Sequence, residues 1–304
     1  MAVSELPRFN LQSKWPAGKW RFAYPAALVI GSLVFFVVSI MWSSGHSLYA
    51  QAKGMVAQGT PVQQFMDPLN AAIGRTAHPE FVDFKLQILN QLYAQTKDEQ
   101  YAAEARQLLE EMGHKEPHYK SFVFRELQLA TLKEDYDLAA SIMEKAISNY
   151  PWDIQLYEQW ASIEFQKAST ALQQNDKQSG MNYLQTILEI RDIVSKKTAE
   201  LENLPEAQLQ GRVFEMTPAL ALPVGQALYY LGDIHQAETL LKSALDETFN
   251  EPQDSIAAIF YVAATQKLKH EDTALRDSLF NAYPDRIQEF ENQINALENM
   301  EPVK

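Results

Sequence analysis

The sequence contains no cysteine, little glycine and fewer basic than acidic residues. Without cysteine, the chain has no disulfide, no thiolate zinc site and no cysteine nucleophile. The absence is compatible with a location on either side of a membrane, in a reducing or an oxidising compartment. Only 11 of 304 residues are glycine, which argues against glycine-rich phosphate loops and for long helices. The 26 Lys and Arg against 39 Asp and Glu give a net charge of -13. This acidic balance disfavours nucleic acid as a partner, because phosphate binding needs clustered basic residues.

A long uncharged segment lies near the start of the chain. Residues 22–42 are 21 consecutive residues without a charge, and a helix of that length spans about 30 Å of hydrocarbon. Pro25 falls in the first turn of such a helix, where its missing N–H costs nothing. Tyr24 and Trp42 occupy the interfacial positions that aromatic residues favour. The segment is therefore predicted to be a single transmembrane helix.

Charge is distributed unequally on the two sides of this segment. Residues 1–21 hold four basic residues and one acidic residue, a net charge of +3, and residues 22–304 carry a net charge of -16. By the positive-inside rule, we predict a cytoplasmic N-terminal segment at 1–21 and an extracytoplasmic remainder, in a single-pass protein of the cell membrane. A cleaved signal peptide is the alternative; its apolar region is usually about 7–15 residues long. Residues 43–45 would be its best cleavage site.

Beyond residue 45, one spacing of small, apolar and proline residues recurs. Two segments share it with a period of 34 residues: Ala105, Leu109, Met112 and Pro117, then Ala139, Met143, Ala146 and Pro151. A small residue lets two helices approach closely, the positions four and seven residues later share its helical face, and proline ends the helix. A third segment carries Gly225, Gly232, Ala237, Leu241 and Ala244, but its proline, Pro252, comes three residues late.

This pattern resembles the tetratricopeptide repeat (TPR) family, whose unit is a pair of helices with a period of 34 residues. The resemblance implies an all-α fold: a single N-terminal transmembrane helix followed by a TPR-like α-solenoid of helix pairs. The predicted divisions are a transmembrane helix at 22–42, a repeat domain at 46–283 with an extended helix pair at 153–203 and a loop at 204–217, and a C-terminal capping helix and tail at 284–304. Thr217 is predicted to cap the helix that follows the loop.

No motif in the sequence predicts catalysis or a bound cofactor. The chain has no phosphate-binding Gly-x4-Gly-Lys loop, no His-Glu-x2-His pair and no Gly-x-Ser-x-Gly elbow. His114 and His118 have a spacing that could bind a metal on one helix, but Pro117 lies between them at a predicted helix end. We therefore predict no catalytic, cofactor or metal site, and expect a protein that is not an enzyme.

Aromatic residues are concentrated where the extended helix pair begins. Trp152, Tyr157 and Trp160 lie close together there, and Tyr229 lies beside the turn at Gly232. The first interpretation is that these rings pack one helix pair against the next. The second is a platform for a ligand, because aromatic rings carry much of the energy of interfaces and stack on sugars and peptides. Both interpretations stay open, and so does the choice between peptide and glycan.

A groove of stacked helix pairs binds extended peptides or partner helices. The predicted function is therefore a membrane-anchored extracytoplasmic TPR scaffold that binds proteins at the outer face of the membrane. The segment from Ala146 to Asp153, after a membrane helix, also resembles the extracytoplasmic tail of bacterial O-antigen polymerase and ligase-like proteins. That resemblance implies a role in cell-envelope polysaccharide assembly. In that family many more membrane helices precede the repeats and carry the glycosyl chemistry, so the resemblance does not imply that activity for this chain. The alternatives are a chaperone-like helper of the secretion translocon, and an enzyme with its site near the 204–218 loop.

Overall fold

The structure, a computed structural model, describes residues 20–202, 204, 214–246, 248–249 and 252–303. The described residues form thirteen α-helices, one short 3-10 helix and no strand. The helices are α1 (Trp20–Ala57), α2 (Val62–Arg75), α3 (Pro79–Thr96), α4 (Glu99–Lys115), α5 (Lys120–Leu132), α6 (Tyr136–Asn149), α7 (Ile154–Gln173), α8 (Lys177–Glu202), α9 (Pro218–Leu231), α10 (Ile234–Ser243), α11 (Pro252–Lys267), α12 (Thr273–Ala282) and α13 (Ile287–Glu298). The basic segment up to residue 19 and most of the predicted 204–217 loop lie outside the described residues.

Helix α1 is longer than the predicted transmembrane segment. Its large apolar side chains between Leu28 and Trp42 are 43–75% exposed, and the helix is long and apolar enough to cross a membrane. The predicted end at Trp42 is not a helix end, since α1 is 38 residues long and continues to Ala57. The reason is that Gly45, Tyr49 and Ala52, spaced three and four residues apart, bury one face of the helix. Residues 43–45 therefore lie within a continuous helix.

The chain divides into two compact units, residues 1–122 and 123–304. In the first unit, the last turns of α1 pack on α2, α2 contacts α3, and α3 pairs with α4. The core of this unit includes Tyr49, Phe65, Leu69, Ala72 and Phe81, each no more than 8% exposed. Three of these side chains come from α2, which shows that residues 62–75 provide the second helix of a pair.

The second unit continues the alternation of helix pairs. The pairs are α5 with α6, which share a hydrophobic cluster, α7 with α8, α9 with α10, and α11 with α12. The second helix of one pair packs on the first helix of the next. Helix α11 is buried on all sides from Ala257 to Thr265, because α13 packs on it. The chain end is fastened to the same region, since the Val303 amide donates to the Tyr230 carbonyl at 2.9 Å.

The turn inside the helix pairs has one recurring construction. A residue in the left-handed backbone region is followed at once by an aspartate that caps the next helix through a backbone N–H. The four copies are Lys97–Asp98, Glu134–Asp135, Asn175–Asp176 and Gly232–Asp233, with left-handed φ values of 56°, 58°, 63° and 92°. Glycine therefore occupies in one copy a position that lysine, glutamate and asparagine occupy in the others.

The predicted repeat residues fall on the packed faces of these pairs. The fully or almost fully buried side chains are those of Ala105, Met112, Ala139, Met143, Ala146, Ala237, Leu241 and Ala244, while Leu109 is half-buried. Pro117 and Pro151 each follow the end of a helix by two residues. Gly232 ends α9 in the left-handed conformation, and Gly225 faces Leu241 at close range.

Candidate functional site

The extended helix pair creates a cleft in the second unit. Helix α7 has 20 residues and α5 has 13, and the turn that follows α5 lies beside the last two turns of α7. The resulting overhang cleft has a volume of about 270 Å³ and is lined by residues 134–137 on one side and by Lys167, Thr170, Ala171, Gln174, Asp176, Ser179 and Tyr183 on the other. It opens at the surface where α6, α7 and α8 come together.

The overhang cleft is acidic around a single lysine. Lys167 Nζ lies 3.8 Å from Asp137 Oδ1, 3.7 Å from Glu164 Oε1 and 4.4 Å from the centre of the Tyr183 ring. Burial raises the pKa of Glu164, which is 4% exposed, and Lys167 opposes that shift. The remaining carboxylates on the cleft wall, Glu134, Asp135 and Asp176, outnumber the lysine, so the cleft favours a cationic group.

A second cleft, here called the apolar notch, lies between α5 and α7. It has a volume of about 190 Å³ and is lined by Phe124, Leu127, Gln128, Thr131, Leu132 and Gln159. Leu127 forms its buried floor, whereas Phe124 and Leu132 are half-buried and accessible from the notch. Two amide side chains stand at its rim. The notch therefore suits one apolar side chain whose neighbours carry hydrogen-bonding groups.

The face of α7 that leads from the notch towards the cleft carries amides and hydroxyls. This amide stripe consists of Gln155, Gln159, Ser162, Gln166, Ser169 and Gln173, all at least partly exposed. Their spacing of three and four residues keeps them on one helical face. Amide side chains both donate and accept hydrogen bonds, so they can pair with the backbone of an extended chain without selecting its charge.

The predicted aromatic platform is divided between buried and exposed rings. Tyr157 is 1% exposed, and its hydroxyl donates to the Pro151 carbonyl at 3.0 Å. Trp152 is 37% exposed, and Lys197 Nζ lies 4.1 Å from its ring centre. Phe214 meets both rings edge-on, with centres 5.6 Å from Trp152 and 5.4 Å from Tyr157. These rings pack the start of α7 against the residues before α9, and a ligand on Trp152 stays a prediction.

Trp160 and Tyr229 complete the predicted platform. Trp160 is half-buried and contacts two hydrophobic clusters of the second unit. Tyr229 is 1% exposed, its hydroxyl donates to the Leu297 carbonyl at 2.9 Å, and burial raises its pKa. Lys267 Nζ lies 4.9 Å from the Tyr229 ring centre and donates to the Met300 carbonyl at 2.6 Å. Tyr229 therefore fastens α13 to α9, while Lys267 of α11 holds a residue that follows α13.

Sequence reasoning missed both clefts and the role of Phe214. The apolar notch combines residues 124–132 with Gln159, and neither segment contains a motif. Phe214 lies in the segment that the sequence predicts as the 204–217 loop. The one sequence signal was the predicted helix pair at 153–203, which is longer than the 34-residue repeat unit and indicates an irregular surface there.

The histidine spacing that could bind a metal, His114 and His118, does not lie within one helix. Among the described residues, no group of three histidine, aspartate or glutamate residues could hold a metal ion. His114 is exposed in the last turn of α4, and His118 lies beyond the helix end. Most of the 204–218 loop, which the sequence offered as a possible enzyme site, lies outside the described residues. At its described end, Thr217 caps α9, as the sequence predicted.

This architecture is similar to that of a solved structure described as "Functional Characterization of Pseudomonas Aeruginosa pilF". That structure matches 83% of this chain and 99% of its own length with a TM-score of 0.51 at 12% sequence identity. The fold is TPR-like. At this identity the likeness concerns the fold alone. No protein-family model and no curated protein sequence matches the chain.

Proposed function

We propose that this protein is a membrane-anchored scaffold that binds an extended segment of a partner protein along the second unit. The observation that carries the proposal is the apolar notch, which opens beside the uncharged amide stripe of α7. TPR-like folds suggest protein–protein interaction, because a groove of helix pairs presents a long surface to an extended chain.

The geometry defines the chemistry of the partner segment. The notch accepts an aliphatic or aromatic side chain, the amide stripe pairs with backbone groups, and the acidic overhang cleft accepts a lysine or arginine. Gln159 in the notch and Thr170 in the cleft are eleven residues apart on α7, which corresponds to about 16 Å along a helix. An extended chain covers that distance in about five residues. The proposed motif is therefore an apolar residue and a basic residue about five positions apart.

A peptide-binding measurement tests this motif. Fluorescence anisotropy would compare ten-residue peptides that carry leucine and lysine five positions apart with peptides in which glutamate replaces the lysine, using the full chain in detergent micelles. We expect the lysine peptides to bind at least tenfold more tightly, and Gln159→Arg to abolish that binding by filling the notch. Gln185→Arg, at an exposed position of α8, is the control and should leave binding unchanged. Equal binding of both peptide sets would refute the proposal.

Location and pathway form the second part of the proposal. The charge of +3 before residue 22 and of -16 after residue 21 supports a cytoplasmic N-terminus and a repeat domain outside the cytoplasm. We propose that the partner belongs to cell-envelope polysaccharide assembly, on the resemblance of the segment from Ala146 to Asp153. A secretion helper at the translocon and an enzyme with its site near the 204–218 loop stay as alternatives.

Two experiments in cells test the topology and separate the polysaccharide-assembly role from the secretion role. A phosphatase that is active only outside the cytoplasm, fused after Lys304, should be active if the topology is as proposed, and silence of the fusion would refute it. A photo-crosslinking residue at Gln166 on the amide stripe would then capture the partner. Capture of a polysaccharide-assembly protein supports the envelope role, whereas capture of a translocon subunit supports the secretion alternative.

A further inference from the structure

A pair of histidines stands where the apolar part of α1 meets the first unit. His46 belongs to α1, and His78 is the residue directly before α3. Their ring centres are 5.6 Å apart, although the residues are 32 positions apart in sequence. Both lie outside the candidate site described above, and neither has a role in the proposed protein binding.

Three buried polar atoms at this place have no hydrogen-bond partner. They are His46 Nε2, His78 Nδ1 and Thr76 Oγ1. Thr76 precedes His78 by two residues, and the His78 amide donates to the Thr76 carbonyl at 2.6 Å. On the α1 side, Thr76 Oγ1 lies only 2.7 Å from where a β-carbon on Gly45, the residue before His46, would stand. Burying polar groups without partners is costly, so three such atoms on neighbouring residues point to a bound species.

Two aromatic rings pack against both histidines. The centre of the Trp42 ring lies 4.8 Å from His46 and 5.4 Å from His78. The centre of the Phe81 ring lies 4.9 Å from His46 and 5.1 Å from His78. Packing of this kind fixes the orientation of both imidazoles. His78 also occupies the position that caps α3, yet its side chain forms no capping bond, so that side chain is available for another contact.

We propose that His46 Nε2 and His78 Nδ1 bind one divalent transition-metal ion, with Thr76 Oγ1 as a weaker neighbouring ligand and water at the remaining positions. Imidazole suits Zn²⁺, Cu²⁺ and Ni²⁺. With metal–nitrogen bonds of about 2.0–2.1 Å, two imidazoles on one ion have ring centres about 5–6 Å apart, which matches the observed separation. The ion would tie α1, at the end of its apolar run, to the connection between α2 and α3.

Copper EPR and calorimetry test the site on the full chain without a histidine tag, in detergent micelles. We expect one Cu²⁺ per chain with hyperfine splitting from two nitrogen ligands, and Zn²⁺ binding at micromolar concentration. His46→Ala and His78→Ala should each weaken binding at least tenfold and leave a single nitrogen in the spectrum. The double variant His114→Ala and His118→Ala is the matched control, since it removes another close pair that is exposed, and its binding should equal that of the parent.

A second measurement needs no substitution and therefore does not depend on whether a variant folds. The chain has six histidines, and after ¹⁵N labelling of their rings, Zn²⁺ should shift the NMR signals of two of them. The proposal is overturned if no stoichiometric ion binds at micromolar concentration, or if the loss follows His114 and His118 instead. A buried water that bridges the three atoms would then be the occupant.

Discussion

Gly225 of α9 lies against Leu241 of α10 so closely that a β-carbon at Gly225 would stand 2.8 Å from the Leu241 Cγ atom. The same β-carbon would be 3.3 Å from the Leu241 backbone nitrogen. The obstacle therefore includes backbone as well as side chain, and the backbone cannot rotate away. The small residue that the repeat pattern places at this position is what allows the two helices of the pair to meet.

The first prediction follows from this contact. Gly225→Ala removes the entropic cost of glycine in a helix, a gain of about 0.5–1 kcal/mol, but forces Leu241 out of its place, at a cost of about 1–3 kcal/mol. We expect a net loss of up to about 2.5 kcal/mol in the free energy of unfolding, measured by urea denaturation followed by circular dichroism.

Gly113→Ala is the matched control for that substitution. Gly113 also lies within a helix, α4, but a β-carbon there would meet nothing within 4 Å. The same chemical change should therefore stabilise the protein by about 0.5–1 kcal/mol. If both substitutions change the stability in the same direction, the close contact does not control the packing of this pair.

The second prediction concerns the left-handed residue before the capping aspartate. Glu134 has a φ of 58°, a conformation that costs a residue with a β-carbon about 1–2 kcal/mol, and Gly232 shows that glycine fits the equivalent turn. Glu134→Gly should raise the free energy of unfolding by up to about 1 kcal/mol. Glu144→Gly, at an exposed helical position of α6, is the control and should lower it by about 1 kcal/mol. A loss of stability from Glu134→Gly would contradict the strain argument.

The repeat could be predicted from sequence because its signals are local. Ala105 and Ala139, like Pro117 and Pro151, are 34 residues apart, and the helices end in matching places. The helix starts do not match, since the capping residues Asp98 and Asp135 are 37 residues apart. Counted from the matching helix ends, α4 begins three residues earlier than α6. Three residues are nearly one helical turn of 3.6 residues, so the same face stays buried, and the 34-residue spacing does not reveal that α4 is longer.

The end of α1 and the histidine site could not be predicted in the same way. The change from apolar to polar residues after Trp42 marks the place where the exposed apolar part of α1 gives way to the part packed on α2. It does not end the helix, because Gly45, Tyr49 and Ala52 continue to bury one face. His46 and His78 are single histidines in separate segments, without a ligand spacing. Only the fold of α1 against α2 and α3 brings the two imidazole rings, each with an unpartnered nitrogen, to a centre-to-centre distance of 5.6 Å.

The third prediction concerns Thr217, which forms two hydrogen bonds at the start of α9. Its hydroxyl oxygen accepts from the Leu220 amide at 3.3 Å, and the hydroxyl donates to Glu158 Oε1 of α7 at 2.5 Å. Thr217→Val keeps the shape but removes both bonds, and should cost about 1–2 kcal/mol. Thr217→Ser retains the hydroxyl and should cost less than half as much. Equal losses for the two variants would mean that the methyl contact matters and the hydrogen bonds do not.

The fourth prediction is a pH dependence from His270. Its Nε2 lies 2.7 Å from Glu238 Oε1, and that hydrogen bond raises the pKa of His270 above its usual value near 6.5. Because the folded state then binds the proton more tightly than the unfolded state, the stabilising contribution is fully present below pH 6.5 and is lost as the pH rises through the folded pKa. His270→Gln should therefore lower the melting temperature at pH 5.5 more than at pH 9. Glu238→Gln should produce the same pH-dependent difference, since it removes the other member of the pair. His235→Gln, at an exposed position of α10, is the control. If His270→Gln lowers the melting temperature equally at both pH values, the prediction is contradicted.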